Sequence, residues 1–159
     1  MSHPLGSGPD VRCPPPLLFA LGLVAGWLLD HAFALPIAGP ANRPATEPVG
    51  WLLVALGTAV SGWGLVTFRN AGTPIRPDRP AVVLVTHGPF RLSRNPIYLG
   101  LSLVYLGVTV LVDSGWPLLF LPVVIAILYL TVIRLEERYL AATFGTAYEE
   151  YRRRVRRWL

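Results

Sequence analysis

The chain has 159 residues, of which 53% are hydrophobic and only 14% are charged. About a quarter of the residues of an ordinary soluble domain are charged, so this composition excludes such a domain and indicates an integral membrane protein. All basic residues are arginines and the net charge is +5, which places the positive charge in planar groups suited to carboxylates and phosphates. Cys13 is the only cysteine, which excludes an internal disulfide and a cysteine metal cluster.

The N-terminal part predicts a tail and a first membrane span. Residues 1–16 contain glycine and five prolines without apolar periodicity, and we expect them to be a disordered tail. Residues 17–35 form an apolar run close to the ~20 residues that cross a hydrocarbon core. Arg12, the apolar run and Ala-x-Ala at its end are also compatible with a cleaved secretory signal. We expect a retained helix because three similar segments follow.

The second span is predicted over residues 49–68, after a proline-rich loop over residues 36–48. Small residues lie on one face of this helix at Gly50, Gly57, Ser61 and Gly64. In lipid, such a face lets another helix approach closely. We therefore expect helix packing on this face, and the same face would also allow a dimer.

Residues 69–95 are polar, and their prolines exclude a long helix. Asn95 followed by Pro96 predicts a helix start at which the Asn side chain caps free N–H groups. A third span then covers residues 96–112, and Asp113-Ser114-Gly115 predicts a tight turn. The fourth span covers residues 116–140 with a kink at Pro122.

The C-terminal region predicts a helix that lies in the membrane interface. Gly145 is expected to end the preceding helix, and Thr146 and Glu149 form a capping box for a new helix over residues 146–158. One side of this helix contains aromatic and apolar residues and the rest contains arginines. The residues of the first side are Tyr148, Tyr151, Val155 and Trp158. Such a helix places its rings among headgroups and its arginines on anionic lipid, and we expect no nucleic-acid partner.

The complete pattern predicts an all-α, polytopic membrane helix bundle of about four transmembrane helices plus a C-terminal interfacial amphipathic helix, in one domain over residues 17–159. Most arginines lie between the second and third spans or near the C-terminus. The positive-inside rule places both regions in the cytoplasm, and an even number of spans places the N-terminus there too. This orientation brings Arg91 and Arg94 to the same membrane side as Glu136 and Glu137.

These residues predict a site for a ligand with charges of both signs. The arginines and the helix start suit a carboxylate or phosphate, whereas Glu136 or Glu137 suits an ammonium, a sulfonium or a pair of ribose hydroxyls. Neighbouring helical residues point ~100° apart, so we expect the two acids to have different roles. The alternative is that they only pair with Arg134 and Arg138 at helical spacing.

A motif runs in order from about residue 86 to residue 158. It consists of Gly88, Pro89, Phe90, Arg91, Ser93, Arg94, Asn95, Pro96, Ile97, Tyr98, Leu99 and Gly100, then Glu136 and Glu137, and then Phe144, Gly145, Tyr148 and Tyr151. It resembles the signature of the integral membrane methyltransferases, which include isoprenylcysteine carboxyl methyltransferases and phospholipid N-methyltransferases. In that family an R-H-P-x-Y-x-G run and a later E-E pair surround S-adenosylmethionine.

The resemblance implies an S-adenosylmethionine site with Arg94 and Glu137 as catalytic residues, and it implies no metal. The implied cofactor-binding residues are His87, Gly88, Pro89, Arg94, Asn95, Pro96, Tyr98, Leu99, Gly100, Glu136 and Glu137. Asn95 stands where many members have His, which removes a titratable ring. Phe90 stands at the second glycine of a G-x-G found in the phospholipid branch, which weakens assignment to that branch.

The implied function is an S-adenosylmethionine-dependent membrane methyltransferase that acts on a lipidic or small hydrophobic acceptor. An isoprenylcysteine-like carboxylate is favoured, since it needs no general base and Arg94 could orient it. A phospholipid amine or a thiol is the alternative and needs a base, for which Glu137 and His87 are candidates. A nicotinamide-dependent membrane reductase and a non-catalytic membrane subunit are the competing hypotheses.

Overall fold

The computed structural model describes residues 14–73 and 81–159, and these residues form helices and no strand. The elements are α1 (Pro15–Ala32), α2 (Arg43–Asn70), a 3₁₀ turn (Gly88–Arg91), α3 (Pro96–Leu111), α4 (Gly115–Leu128), a π-helical segment (Tyr129–Ile133), α5 (Arg134–Phe144) and α6 (Thr146–Arg154). The expected all-α membrane bundle is confirmed. Nearly all of the expected tail, with Cys13, and the stretch 74–80, with Arg76 and Arg79, lie outside the described residues.

Three helical stretches in the described part are long and apolar enough to cross a membrane: α1, α2 and the continuous stretch Gly115–Phe144. The last of these joins α4, the π-helical segment and α5. The expected third span, α3, is apolar but has only 16 residues. At 1.5 Å per residue it is about 24 Å long, which is less than the ~30 Å of a typical hydrocarbon core.

Two prolines lie where the sequence predicted a loop or a kink. α2 begins at Arg43 and contains Pro48 inside the helix, so the predicted loop over residues 36–48 is wrong in its second half. Pro44 lies at the second position of α2, where the N–H group has no intrahelical acceptor in any case. Pro48 is the sixth residue, so α2 lacks one internal hydrogen bond there. α4 continues through Pro122, and the departure from α-geometry follows later, at Tyr129–Ile133.

The small-residue face of α2 packs on α3. A Cβ atom at Gly57 would lie 2.5 Å from the Gly100 carbonyl oxygen and 2.7 Å from the Val104 nitrogen. The Ser61 hydroxyl donates to the Ile97 carbonyl at 3.1 Å. The expected helix packing is therefore confirmed, and because α3 of the same chain covers the face, it is not available for the dimer considered above.

α1 packs on α4 and completes the core. A Cβ atom at Gly22 would lie 2.6 Å from the Val124 side chain, and the Phe19 ring meets the Tyr105 ring edge to face at 6.1 Å. The buried Tyr105 hydroxyl donates to the Pro117 carbonyl at 2.8 Å, which ties α3 to α4. These contacts hold the ends of α3 and of the fourth span in fixed relative positions.

The predicted turn between α3 and α4 also fastens the loop after α1. Asp113 has a φ of +55°, and its carboxylate accepts hydrogen bonds from the backbone N–H groups of residues 37–39 at 2.8 to 3.1 Å. Asp30 accepts a hydrogen bond from the Ser114 hydroxyl at 2.9 Å. Two carboxylates thus close the end of the bundle that is remote from Asn95.

The two predicted side-chain caps are wrong. Asn95 does occupy the N-cap position of α3, but no side chain caps that helix, and the Asn95 amide nitrogen instead donates to the Arg157 carbonyl at 3.0 Å. Gly145 ends α5 as expected, but with a φ of +50° it is also the N-cap of α6. Thr146 is then the first helical residue, so Thr146 and Glu149 cannot form a capping box.

α6 is shorter and more buried than predicted. It ends at Arg154, and residues 155–159, here named the C-terminal strap, are not helical. Tyr148 and Tyr151 are buried in a cluster with Phe90, and the Tyr151 hydroxyl donates to the Phe90 carbonyl at 2.7 Å. Placement of these rings among lipid headgroups is therefore wrong, because the 3₁₀ turn offers them an apolar surface within the protein.

Replacing Gly57 with Ala should destabilise the bundle, because the new methyl group would overlap the α3 backbone; overpacking of this kind costs ~1–3 kcal/mol. Gly62→Ala on the same helix is the matched control, since no atom lies within 4 Å of its Cβ position. Thermal unfolding in detergent, followed by circular dichroism, should show a lower midpoint for Gly57→Ala only. Equal midpoints for the two variants would contradict this packing.

Candidate functional site

The acidic pair of α5 meets the loop that precedes α3. Arg94 Nη1 lies 3.1 Å from Glu137 Oε1, and the Tyr98 hydroxyl donates to Glu136 Oε1 at 2.8 Å. The two adjacent acids thus have different partners, as the angle between neighbouring helical residues implies. The structure places Arg94 and Tyr98 together with both glutamates.

Arg157 is the second cation on Glu137, and sequence reasoning missed it. Its Nε and Nη2 donate to Oε1 and Oε2 of Glu137, each at 2.9 Å, and this hydrogen bonding raises the pKa of Arg157. The Arg157 guanidinium also lies 4.9 Å from the centroid of the Tyr129 ring. The predicted helix over residues 146–158 would instead leave Arg157 on its exposed side, in contact with anionic lipid.

The C-terminal strap is fastened by its backbone to the loop ahead of α3. The Arg94 backbone N–H donates to the Arg156 carbonyl at 3.0 Å. The Ser93 hydroxyl and the Asn95 amide both donate to the Arg157 carbonyl, at 3.1 and 3.0 Å. Ser93 and Asn95 are buried as a result. Asn95 therefore holds the strap.

Arg94 is the more deeply buried of the two cations, with 10% of its side chain exposed compared with 34% for Arg157. Its Nη1 also donates to the Tyr148 hydroxyl at 3.3 Å, and burial raises the pKa of Tyr148, which keeps that phenol neutral. The buried Arg94 Nε has no hydrogen-bond partner in the described part of the chain. An unpaired buried donor costs ~1–3 kcal/mol, so this nitrogen favours a bound acceptor.

The first predicted site residues lie around the 3₁₀ turn. His87 precedes the turn and is exposed, whereas Pro89 is buried within it. Gly88 has a φ of +61°, and a Cβ there would lie 3.0 Å from the Thr67 hydroxyl oxygen of α2. Gly88 and Pro89 therefore determine the direction of the backbone at this turn. Among the hydrogen bonds and ion pairs of the described residues, none joins His87, Gly88 or Pro89 to Arg94, Glu136 or Glu137.

The other predicted residues lie on the first turns of α3. Pro96 is fully buried, and Leu99 is partly buried, with its backbone N–H bonded to the Asn95 carbonyl at 3.0 Å. Gly100 contacts Gly57 and Ser61 of α2. Its small size is thus accounted for by helix packing, which the sequence analysis had not assigned to it.

A π-helical segment, Tyr129–Ile133, directly precedes α5, whose first turn contains the acidic pair. π-helical turns are frequent at functional sites, because the wider turn changes which residues share a face. Here the segment begins with Tyr129, whose ring lies beneath Arg157 and 6.0 Å from the guanidinium carbon of Arg134. No pattern in the sequence indicates this π-helical segment. Tyr129 was therefore not among the predicted site residues.

Comparison with known proteins gives one family match. The model of the phospholipid methyltransferase family matches residues 46–147, which contain Arg94 and both glutamates but not the C-terminal strap. A curated relative, the cobalt-zinc-cadmium resistance protein CzcN of Cupriavidus metallidurans, is 39% identical over 72 residues. This match covers 45% of the chain and 33% of the relative, so the chain spans about a third of that protein. No solved structure matches.

Glu137→Gln should destabilise the protein by about 3 kcal/mol, because it removes the charge that two clustered guanidinium groups share. Glu149→Gln is the matched control: its pair with Arg152 is 3.6 Å long and largely exposed, so a change below about 1 kcal/mol is expected. Denaturant unfolding in detergent micelles measures both. A Glu137 variant as stable as the Glu149 variant would show that the cluster does not hold the strap and α5 together.

Proposed function

This chain belongs to the phospholipid methyltransferase family, and from this premise we propose that it is an S-adenosylmethionine-dependent methyltransferase acting on a lipidic acceptor in the membrane. The observation that supports the proposal is the cluster of Arg94, Glu137 and Arg157, in which a buried arginine nitrogen lacks an acceptor. A purely structural ion pair gives no reason for that unsatisfied donor.

The residues fit the methyl donor, which has a carboxylate, an ammonium, a sulfonium and a ribose diol. Arg94 Nε is a buried, unpaired donor of the kind that a carboxylate accepts from, and Glu137 is an acceptor suited to the ammonium. Glu136 and the Tyr98 hydroxyl, 2.8 Å apart, form a donor and acceptor pair suited to ribose hydroxyls.

The bound donor would supply a methyl group on a positively charged sulfur that is already a good leaving group. The protein must then position the acceptor and exclude water. In this proposal Arg94 and Glu137 hold the amino-acid part of the donor, and burial of Arg94 beneath Tyr148 and the C-terminal strap limits access of water. A lipidic acceptor would enter between helices from the bilayer.

A carboxylate acceptor, like that of an isoprenylated cysteine, fits this site best because it has no proton to remove. Both carboxylate oxygens of Glu137 already accept from guanidinium groups, Oε1 from Arg94 and Arg157 and Oε2 from Arg157. Glu136 already accepts a hydrogen bond from Tyr98, and His87 is exposed. None of the three is placed as a ready general base.

A phospholipid amine is the second candidate, and the family match itself favours it. Methylation of an amine requires loss of a proton, so Glu137 would have to give up one arginine, or His87 would have to approach the acceptor.

For either acceptor, we place the site and both termini at the cytoplasmic face. The concentration of arginines at this end of the bundle supports this orientation.

Purified protein should bind S-adenosylmethionine, and Arg94→Ala should weaken binding at least tenfold, which corresponds to ~1.4 kcal/mol, because it removes the anion-binding donors. Arg152→Ala is the control, since it removes the same charge from an exposed position of α6. Isothermal titration calorimetry in detergent measures both affinities. Equal affinities of the Arg94 and Arg152 variants would contradict the assigned site.

Labelled S-adenosylmethionine should transfer its methyl group to a farnesylated cysteine analogue in lipid vesicles and give a product that releases methanol in base, as a methyl ester does. Vesicles with phosphatidylethanolamine test the second candidate, since an N-methyl product is stable in base. Transfer only to the phospholipid would overturn the preferred acceptor, and absence of transfer to either would count against both.

A further inference from the structure

The contacts of Arg157 are those that a bound organic cation would make. The Glu137 carboxylate accepts two hydrogen bonds of 2.9 Å from Arg157, and the centroid of the Tyr129 ring lies 4.9 Å from the guanidinium carbon. A carboxylate and a ring face together are a general recognition site for ammonium and sulfonium groups. Glu137 and Tyr129 thus form a cation subsite that the chain fills with its own side chain.

We propose that Arg157 is a displaceable plug of this subsite: the guanidinium leaves Glu137 and Tyr129 when the ammonium or sulfonium of S-adenosylmethionine binds there. The inference rests on the proposed function and adds the identity of the cation subsite and its internal competitor. The family match ends at residue 147 and thus does not include Arg157.

The Arg157 side chain can leave without moving the strap. Its backbone carbonyl is held by Ser93 and Asn95, and the neighbouring Arg156 carbonyl is held by the Arg94 N–H. These bonds do not involve the guanidinium. The side chain is also the most exposed member of the cluster, at 34% compared with 16% for Glu137, so it regains water at little cost when it swings outward.

Arg94 would remain in place during the exchange. It is largely buried and keeps its contacts with Glu137 and Tyr148. Its buried Nε has no hydrogen-bond partner among the described residues, and Arg94 pairs with the same carboxylate that holds Arg157. An α-amino acid presents a carboxylate and an ammonium on one carbon, so its two charges match the unpaired Arg94 Nε and the subsite that Arg157 would leave.

The test compares Arg157→Gln with Arg156→Gln in the full-length protein by isothermal titration calorimetry with S-adenosylmethionine. Both variants lose one positive charge from the strap and keep its backbone bonds, but Arg156 is exposed and has no side-chain hydrogen bond or ion pair among the described residues. Loss of the competitor should tighten binding about fivefold in Arg157→Gln, equivalent to ~1 kcal/mol. Arg156→Gln should bind like the unmodified protein.

Two further calorimetric measurements test the role of Tyr129 and identify which cation of the ligand fills the subsite. In the Arg157→Gln background, Tyr129→Leu should remove part of the gain and Tyr129→Phe should keep it, because only the ring face is needed. The demethylated product, which has the ammonium but a neutral sulfur, should show the same gain if the ammonium fills the subsite and no gain if the sulfonium does.

Unchanged or weaker binding by Arg157→Gln, with normal binding by the unmodified protein, would overturn the plug and leave the proposed function standing. Absence of binding by every form would overturn both. If Arg157→Gln does not fold, Arg157→Lys replaces it. An ammonium binds the Glu137 carboxylate less well than a guanidinium with two parallel hydrogen bonds, so the affinity for S-adenosylmethionine should rise about twofold. An unchanged affinity would overturn the proposal.

Discussion

The site depends on one carboxylate, Glu137, that is shared by guanidinium groups from two distant parts of the chain. Arg94 comes from the loop ahead of α3 and Arg157 from the C-terminal strap, and both contact the same oxygen. Without the acid, two positive charges would face each other in a partly buried space, where repulsion is weakly screened. The ion-pair cluster therefore joins three segments, in addition to the backbone hydrogen bonds between strap and loop and the apolar packing around Phe90.

The packing of α2 on α3 supports this cluster from outside. Because Gly57 and Gly100 let the two backbones touch, the start of α3 has a defined position, and with it Arg94 and Tyr98. The hydrogen bond from Tyr105 to Pro117 then fixes α3 relative to α4. Because α4 and α5 belong to one continuous helical stretch, the position of α4 also determines where the acids of α5 lie. The small residues and the buried Tyr105 hydroxyl thus determine the distance between Arg94 and Glu137.

The packing of α6 and of the C-terminal strap on the loop ahead of α3 explains several residues whose predicted roles were wrong or incomplete. Asn95 was expected to cap α3, and its side chain instead holds a carbonyl of the strap. Tyr148 and Tyr151 were expected among lipid headgroups, yet they are buried against the 3₁₀ turn and Arg94. Polar groups that are buried in this way need partners, and the strap and the loop supply them to each other.

Sequence reasoning predicted the membrane class, the approximate spans, the small-residue packing face and the meeting of Arg94 with Glu137. These features depend on composition, periodicity and the order of charges along the chain, which are local properties or follow from a motif. The contacts of Arg157, Tyr129 and Asn95 could not be predicted in this way and were seen only in the folded chain. Their contacts join residues 20 to 62 positions apart, across a helix end at Arg154 and a π-helical segment that no local pattern specifies, so their positions depend on packing of the whole bundle.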